Sequence, residues 1–325
     1  MKRGIWRWSV AATLMAVLAV SASGAAAAEK YPTRPIQWIV GWGAGGGTDV
    51  FTRALVKGVQ ERLGVAIAVQ NMPGASSATA MDHVLNQPAD GYTVFSITSD
   101  ILQNTVLKRG AHTFRDLIPI VRAHVDVGMI QAGPASPFKT WAELVEHAKA
   151  NPGKQTWAGT GAGSSDEINS VIIASAAGIT VKYVPFESAS EMHAALLGGH
   201  VQAMYEEAGP VIALIEAGRT KPLVVLADKR VERFPSVPSA KELGYPVPPL
   251  IWRGVAVKKG TAPDIVASLQ TAIAETMKTL EYRQFEEKRL LNLYPGLQFG
   301  EAFGRIMETE YPLYEDIMKR LGLVK

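Results

Sequence analysis

A glycine-rich loop occurs twice in this chain in the same setting, between a β-rich apolar run and a helical pattern, and that repetition restricts the fold more than any other feature. In the first case Ile36–Val40 reads as a strand and Gly41–Gly47 as the loop. Thr48 or Asp49 can cap a helix whose Phe51, Leu55, Val59 and Leu63 recur on one face until Gly64 stops it. In the second, Thr156–Thr160 reads as a strand, and Gly161-Ala162-Gly163-Ser164-Ser165 opens a helix reaching about Ala177. Val65–Val69 and Thr93–Thr98 add strands to the first stretch, around a Ser76–Gln87 helix. Thr140 and Glu143 form a capping box for Trp141–Ala150, ahead of the second stretch. There the strands Val181–Phe186, Val201–Glu206 and Leu223–Ala227 alternate with the helices Ala189–Leu197 and Val211–Ala217. A proline-rich passage, Phe234–Pro249, precedes a strand at Gly254–Lys258 and two long helical patterns, Pro263–Leu280 and Phe299–Leu321. Strand–helix–strand succession of this kind builds parallel sheets with right-handed crossovers. The expected fold is α/β, with two domains, each a mainly parallel sheet flanked by helices, and a cleft between them. Residues 29–129 and 253–325 are assigned to domain 1 and 130–252 to domain 2, with the hinge at Val127–Gly133 and Leu250–Gly254.

Residues 1–28 stand apart as a secretory signal peptide. Lys2, Arg3 and Arg7 precede an apolar stretch from Val10 to Val20 that is too short to span a bilayer, and Ala26-Ala27-Ala28 offers the cleavage site. The expected location is therefore periplasmic. Removing the leader's three basic residues from the 33 in the chain leaves 30 against 30 acidic ones, so the electrostatic case for nucleic acid or an anionic membrane disappears. With no cysteine there is no disulfide, thiol chemistry or lipidated N-terminus.

The two loops indicate what the cleft can hold. Glycines at a helix start leave backbone N–H groups open to an anion, and the helix dipole favours negative charge there. Gly45, Gly46, Gly47, Thr48 and Asp49 form one such array, and Thr160 with Gly161–Ser165 the other. Gly41-x-Gly43-x-x-Gly46 also matches the dinucleotide fingerprint, but the second strand ends in Val69-Gln70-Asn71, without the acid that holds a ribose. No cofactor is expected. His83, His112, His124, His147, His193 and His200 have no metal-ligand spacing, so no metal is expected. Ser136-Pro137-Phe138-Lys139 fits the S-x-x-K pattern without its companion motifs and reads as a turn. Glu206-Glu207 sits on a strand, where neighbours point to opposite faces. No catalytic constellation is present, and the chain is not expected to be an enzyme.

The tracts YPTRPIQWIVGWGAGGGTDVFTRAL, NMPGASSATA, PADGYTVF, FKTWAELVEHAKANPGK, WAGTGAGSS, YVPFESASEMHAALLGGHVQAMYEE and RFPSVPSAKELGYP resemble, in order, the receptors of tripartite tricarboxylate transporters, the Bug-type solute-binding proteins. The resemblance spans Tyr31 to the C-terminus. It implies a type II periplasmic-binding fold that closes on a small organic carboxylate, and a two-component membrane permease as partner. It also implies that backbone N–H groups and waters hold the ligand, here from Ala44–Asp49 and Thr160–Ser165, with Ser99 and Glu206 reaching the cleft. A monomer is expected. A periplasmic sensor that presents its solute to a membrane signalling protein is an alternative, and an enzyme on the same fold a weaker one.

The chain departs from the family pattern in ways that bear on the ligand. Gly41-Trp42-Gly43-Ala44 replaces a proline-rich approach, so Trp42 can lie against an apolar part of the ligand. Asp100, Asp126 and Asp166 stand where relatives more often carry neutral or small residues, and Arg253, beside Trp252, is the one conspicuous base. Two readings remain open. Half of these acids point to solvent or pair with Arg122 and Arg253, or the cleft has an acidic end suited to an amine, amide or ring nitrogen. On the second reading citrate is excluded, since each close carboxylate contact costs on the order of 1 kcal/mol or more.

Overall fold

The computed structural model describes residues 31–324, so the signal peptide and its cleavage after Ala28 lie outside the described residues. Arg34–Lys325 forms one compact unit built on two mixed sheets. The first takes β1 (Ile36–Val40), β2 (Ile67–Asn71), β3 (Thr93–Thr98), β4 (Leu117–Asp126), β10 (Ile251–Lys258) and β11 (Gln298–Phe299), in the order β11-β4-β10-β3-β1-β2. The second takes β5 (Gly128–Ala132), β6 (Gln155–Thr160), β7 (Val181–Phe186), β8 (Ala203–Glu207) and β9 (Lys221–Val225), in the order β7-β6-β8-β5-β9. We call the halves built on them lobe 1 and lobe 2.

In each lobe the strands that carry the glycine loops pair parallel: β1 with β2 and β3, and β6 with β7 and β8. β10 in lobe 1 and β5 in lobe 2 run against both of their neighbours, and the short β11 runs against β4. The chain leaves lobe 1 at Asp126 and enters lobe 2 at Gly128, so the crossing occupies a single residue, Val127. It returns before Ile251.

Helices follow the strands in the expected rhythm. Lobe 1 has α1 (Gly47–Leu63), α2 (Ala78–Leu85) and α3 (Asp100–Val106), and lobe 2 has α4 (Trp141–Ala150), α5 (Ser165–Ala176), α6 (Ala189–Leu197) and α7 (Ala208–Glu216). The chain ends with α8 (Pro263–Met277), α9 (Leu280–Lys288) and α10 (Gly300–Arg320). Phe51, Leu55 and Val59 of α1 are fully buried, as their spacing requires, and Gly64 closes the helix in the left-handed conformation at φ 71°. Each lobe has its own core, with Ile39, Phe95, Ile97, Trp252 and Phe303 in the first and Ile130, Trp157, Ala203, Tyr205 and Val224 in the second. At about 25 cal/mol per Å² of apolar surface, burial of such side chains dominates the folding free energy of each lobe.

The structure corrects several sequence boundaries. The strand expected at Val65–Val69 is Ile67–Asn71, displaced toward the cleft. The Ser76–Gln87 helix is α2, preceded by a 3₁₀ turn at Ala75–Ser77, and Pro263–Leu280 stops at Met277 before a new helix that Thr279 caps. The strand Gly254–Lys258 begins three residues earlier, at Ile251. Helix α3 and strands β4 and β5 have no counterpart in the sequence reading. Pro119, Arg122 and His124 interrupt the alternation of β4, whose partners on both sides bury it regardless of pattern.

Candidate ligand-binding site

Both sheets present a topological switch point to the same space. In lobe 1 the chain passes from β1 through α1 to β2 on one side, while β3 lies on the other. In lobe 2 it passes from β6 through α5 to β7, with β8 on the opposite side. Ligands of open α/β sheets sit beyond the carboxyl ends of strands at such points. Here the two ends enclose one cavity of about 450 Å³, counted to its open mouth. Lobe 1 contributes Trp42, Gly43, Gly46, Gly47, Thr48, Thr98, Asp100 and, from the start of β10, Ile251 and Arg253. Lobe 2 contributes Thr160, Asp166, Glu187, Ser188, Ala189, Glu206 and Glu207.

The two helix starts are not equivalent. Helix α1 has Gly46 as its N-cap, with no side-chain cap, and Gly46, Gly47 and Thr48 all line the cavity. The N–H groups of this first turn therefore face the space where an anion would sit. Asp49 turns away from it. Its carboxylate takes the Gly45 N–H at 3.0 Å, Arg53 Nε at 2.9 Å and Asn71 Nδ2 at 2.9 Å. Burial pushes the Asp49 carboxyl up, but these bonds outweigh it and hold the group below its ordinary value. Ala44 and Gly45 are exposed at the loop tip, where the Ala44 carbonyl accepts Ser190 Oγ at 3.4 Å.

The lobe 2 loop is occupied by this chain's own carboxylates. Asp166 accepts the Thr160 N–H at 2.7 Å and its hydroxyl at 2.8 Å. Glu167 accepts the Gly163 N–H. Asp100, reaching across from lobe 1, accepts the Ser165 N–H at 2.8 Å while its other oxygen accepts Thr98 Oγ1 at 2.6 Å. The anion array expected from Gly161, Ala162, Gly163, Ser164 and Ser165 does not line the cavity, and of that loop only Thr160 and Asp166 do. Ala162 is instead a lobe–lobe contact, its carbonyl accepting Ser76 Oγ at 2.8 Å and Arg109 Nη1 at 2.6 Å. Ser164 caps α5 by accepting the Glu167 N–H, and Ser165 Oγ meets Ser99 Oγ at 3.2 Å.

Arg253 sits at the base of the cavity, 4 % exposed, where a register shift in β10 beside β4 re-aims the strand. Its guanidinium donates to Asp126 and, at 2.7 Å, to Glu207, joining the end of β4 in lobe 1 to the end of β8 in lobe 2. Burial raises the carboxyls of Asp126 and Glu207, the latter strongly, although Arg253 opposes the rise in both. Gly47 is required by this packing. A Cβ there would fall 2.2 Å from Arg253 Nη2, so any side chain displaces the guanidinium. Asp126 is thus the partner of Arg253 and does not line the cavity. Trp252 points into the lobe 1 core, where its Nε1 donates to Glu310 at 2.7 Å.

Carboxylates therefore dominate the wall: Asp100, Asp166, Glu187, Glu206 and Glu207 line it, against an Arg253 already shared by two acids. Burial, then the nearby Glu206, pushes Asp166 well up, and burial raises Asp100. Glu206 accepts from its own lobe through His193 Nε2 at 2.8 Å. Among the described residues no His, Cys, Asp or Glu group is arranged to hold a metal ion.

Sequence reasoning found Trp42, Gly46, Gly47, Thr48, Asp100, Thr160, Asp166, Glu206 and Arg253 in the lining, and missed Gly43, Thr98, Glu187, Ser188, Ala189 and Ile251. Glu207, which the sequence pairs with Glu206, lines the cavity as well. Glu207 ends β8 and caps α7, and this turn of the chain brings both side chains to the cavity despite their adjacency. Ser188 is the N-cap of α6, its side chain accepting the Glu191 N–H. Its approach to Gly43, where a Cβ would meet Ser188 Cβ at 2.5 Å, depends on the way the lobes meet.

Comparison with known proteins gives this geometry a family. A family model described as the tripartite tricarboxylate transporter family receptor matches residues 51–301. The UPF0065 protein in the gbd 5'-region of Cupriavidus necator is 31 % identical over 324 residues, covering 99 % of this chain and 98 % of that one. The structure of the periplasmic binding protein BugD superposes with a TM-score of 0.83 at 25 % identity, over 90 % of this chain and 99 % of that one. MatC of Rhodopseudomonas palustris, solved with bound malate, shares the fold with a TM-score of 0.80 at 22 % identity, over 88 % of this chain and 99 % of that one. The chain belongs to the tripartite tricarboxylate transporter receptor family.

Proposed function

We propose that this protein is an extracytoplasmic receptor, exported by its leader and cleaved after Ala28. It captures a small carboxylate-bearing solute between its lobes and presents the closed form to a two-component permease of the tripartite type. The observation that carries the reading is the open first turn of α1, with Gly46, Gly47 and Thr48 facing a cavity in a member of this receptor family. The carboxylate of the solute sits on that turn. The malate held by a protein of the same fold is consistent with a small organic acid in this position. No helix among the described residues is long and apolar enough to cross a membrane, which agrees with a receptor that works beside its permease.

The acids opposite favour a solute that also bears an amine, amide or ring nitrogen. Asp100, Glu187 and Glu206 would repel further carboxylates, and Arg253 offers little relief because Asp126 and Glu207 already hold it. The two lobes act as the moving domains, turning about Val127 and the start of β10. A ligand that bridges them stabilises the closed form by its differential contacts.

The test is a thermal-shift screen on protein stripped of co-purified solute, using monocarboxylates, dicarboxylates, amino acids and aromatic acids. A saturating ligand should raise the melting temperature by a few degrees. Failure of every acid to move it would remove the reading.

A further inference from the structure

The first turn of α1 faces this cleft with its N–H groups open, whereas the N–H groups of the β6–α5 loop, which reaches the cleft through Thr160, are taken by carboxylates of the chain. Gly46 caps α1 without a side chain, and the first turn lines the cavity. In the β6–α5 loop, Asp166 takes the Thr160 N–H, Glu167 the Gly163 N–H and Asp100 the Ser165 N–H. Asp166 and Glu167 lie in the first turn of α5, just after the loop whose N–H groups they take. Asp100 belongs to the other lobe, at the start of α3, and its carboxylate crosses the cleft to reach the first residue of α5.

We propose that Asp100 is a tethered carboxylate that fills the second anion seat of this receptor, and so restricts it to solutes carrying a single carboxylate. The inference rests on the reading of the cleft as a carboxylate site. Asp100 Oδ1 lies 2.8 Å from the Ser165 nitrogen, the distance of a charge-assisted hydrogen bond. Its other oxygen is fixed by Thr98 Oγ1 at 2.6 Å, and Gln103 on the same helix donates to Ser165 Oγ. The side chain is 4 % exposed, so its orientation is set by packing and not by solvent. A solute with carboxylates at both ends would have to displace this group and leave it buried without its partner, a penalty that a single carboxylate on α1 does not meet.

The proposal is tested on the full mature receptor by calorimetry at neutral pH. The probes are straight-chain monocarboxylates, ω-amino acids and α,ω-dicarboxylates of matched length, three to six carbons. The quantity read is the ratio of dicarboxylate to monocarboxylate affinity, because Asp100→Ala also removes a lobe–lobe bond and can weaken both. Asp100→Ala should raise that ratio about ten-fold or more, equivalent to roughly 1.4 kcal/mol. Asp100→Asn keeps an oxygen that can accept the Ser165 N–H, so it should raise the ratio much less. Asp100→Ser serves in place of the alanine variant if that protein does not fold. Three results overturn the proposal: a wild-type receptor that binds both acid classes equally, no rise in the alanine variant, or an equal rise in the asparagine variant, which would assign the effect to charge alone. If wild type and variants bind no acid at all, the reading of the cleft falls with it, and that outcome is distinct from a retained monocarboxylate site with an unchanged ratio.

Discussion

The guanidinium of Arg253 and the carboxylate of Glu207 meet at 2.7 Å across the lobe boundary, with both side chains almost fully buried. Asp126 shares the same guanidinium, so one cation from β10 joins the end of β4 to the end of β8. Buried ion pairs add little over a well-packed apolar equivalent, but removing one partner strands the others in a low dielectric. Arg253→Met should therefore destabilise the protein by about 3–5 kcal/mol, read from denaturant unfolding. A loss well under 1 kcal/mol would show that the two carboxylates do not depend on this arginine.

Gly46 and Gly47 are adjacent and should respond differently. A Cβ at Gly46 has room, its nearest neighbour being Ala189 Cβ at 3.5 Å, while one at Gly47 strikes Arg253. Gly46→Val should abolish the ligand-induced thermal shift with little change in the melting of the free protein, because its branches enter the space before α1. Gly47→Ala should cost stability as well, about 1–3 kcal/mol, as overpacking does. A Gly46→Val protein that binds normally would dissociate the α1 turn from the solute.

Asp166 makes the stability of the protein depend on pH. Its folded-state carboxyl is raised well above the unfolded value of about 3.9, so the fold prefers the protonated form. The associated stability is fully present below the unfolded value and is lost as pH rises through the folded one. Asp166→Asn keeps an acceptor for the Thr160 N–H without the charge. The melting temperature of the variant minus that of wild type should be near zero at about pH 4 and positive by a few degrees at neutral pH. A flat or negative difference would contradict the strain assigned to this acid.

Two tryptophans separate lining from core. Trp42 lines the cavity, whereas Trp252 donates to Glu310 behind it. Trp42→Ala should weaken solute binding with modest effect on melting. Trp252→Phe should cost about 1–3 kcal/mol, because the half-buried Glu310 loses its donor, while the thermal shift with solute persists. The reverse pattern would exchange their roles.

Citrate should not bind. Citrate's three carboxylates would meet Asp100, Glu187 and Glu206 around one shared cavity. Micromolar binding of citrate by calorimetry would refute the acidic character assigned to the site.

The sequence by itself determined the two glycine-loop units, the helix faces and the Thr140 cap, because these depend on local chemistry: Phe51, Leu55 and Val59 bury at their spacing, and Thr140 caps the helix it precedes, whereas Gly46 takes the place expected of Thr48 or Asp49. It also supplied the arginine of the cleft and its acids other than Glu187. Only the tertiary structure decided what each was bonded to. Asp100 meets Ser165 across 65 positions and Arg253 meets Asp126 across 127, contacts that no periodicity encodes. The equal promise of two glycine-rich helix starts was broken in the same way: whether an N–H array is open or filled depends on which carboxylate the other lobe brings to it, a matter of folded distance and not of local pattern.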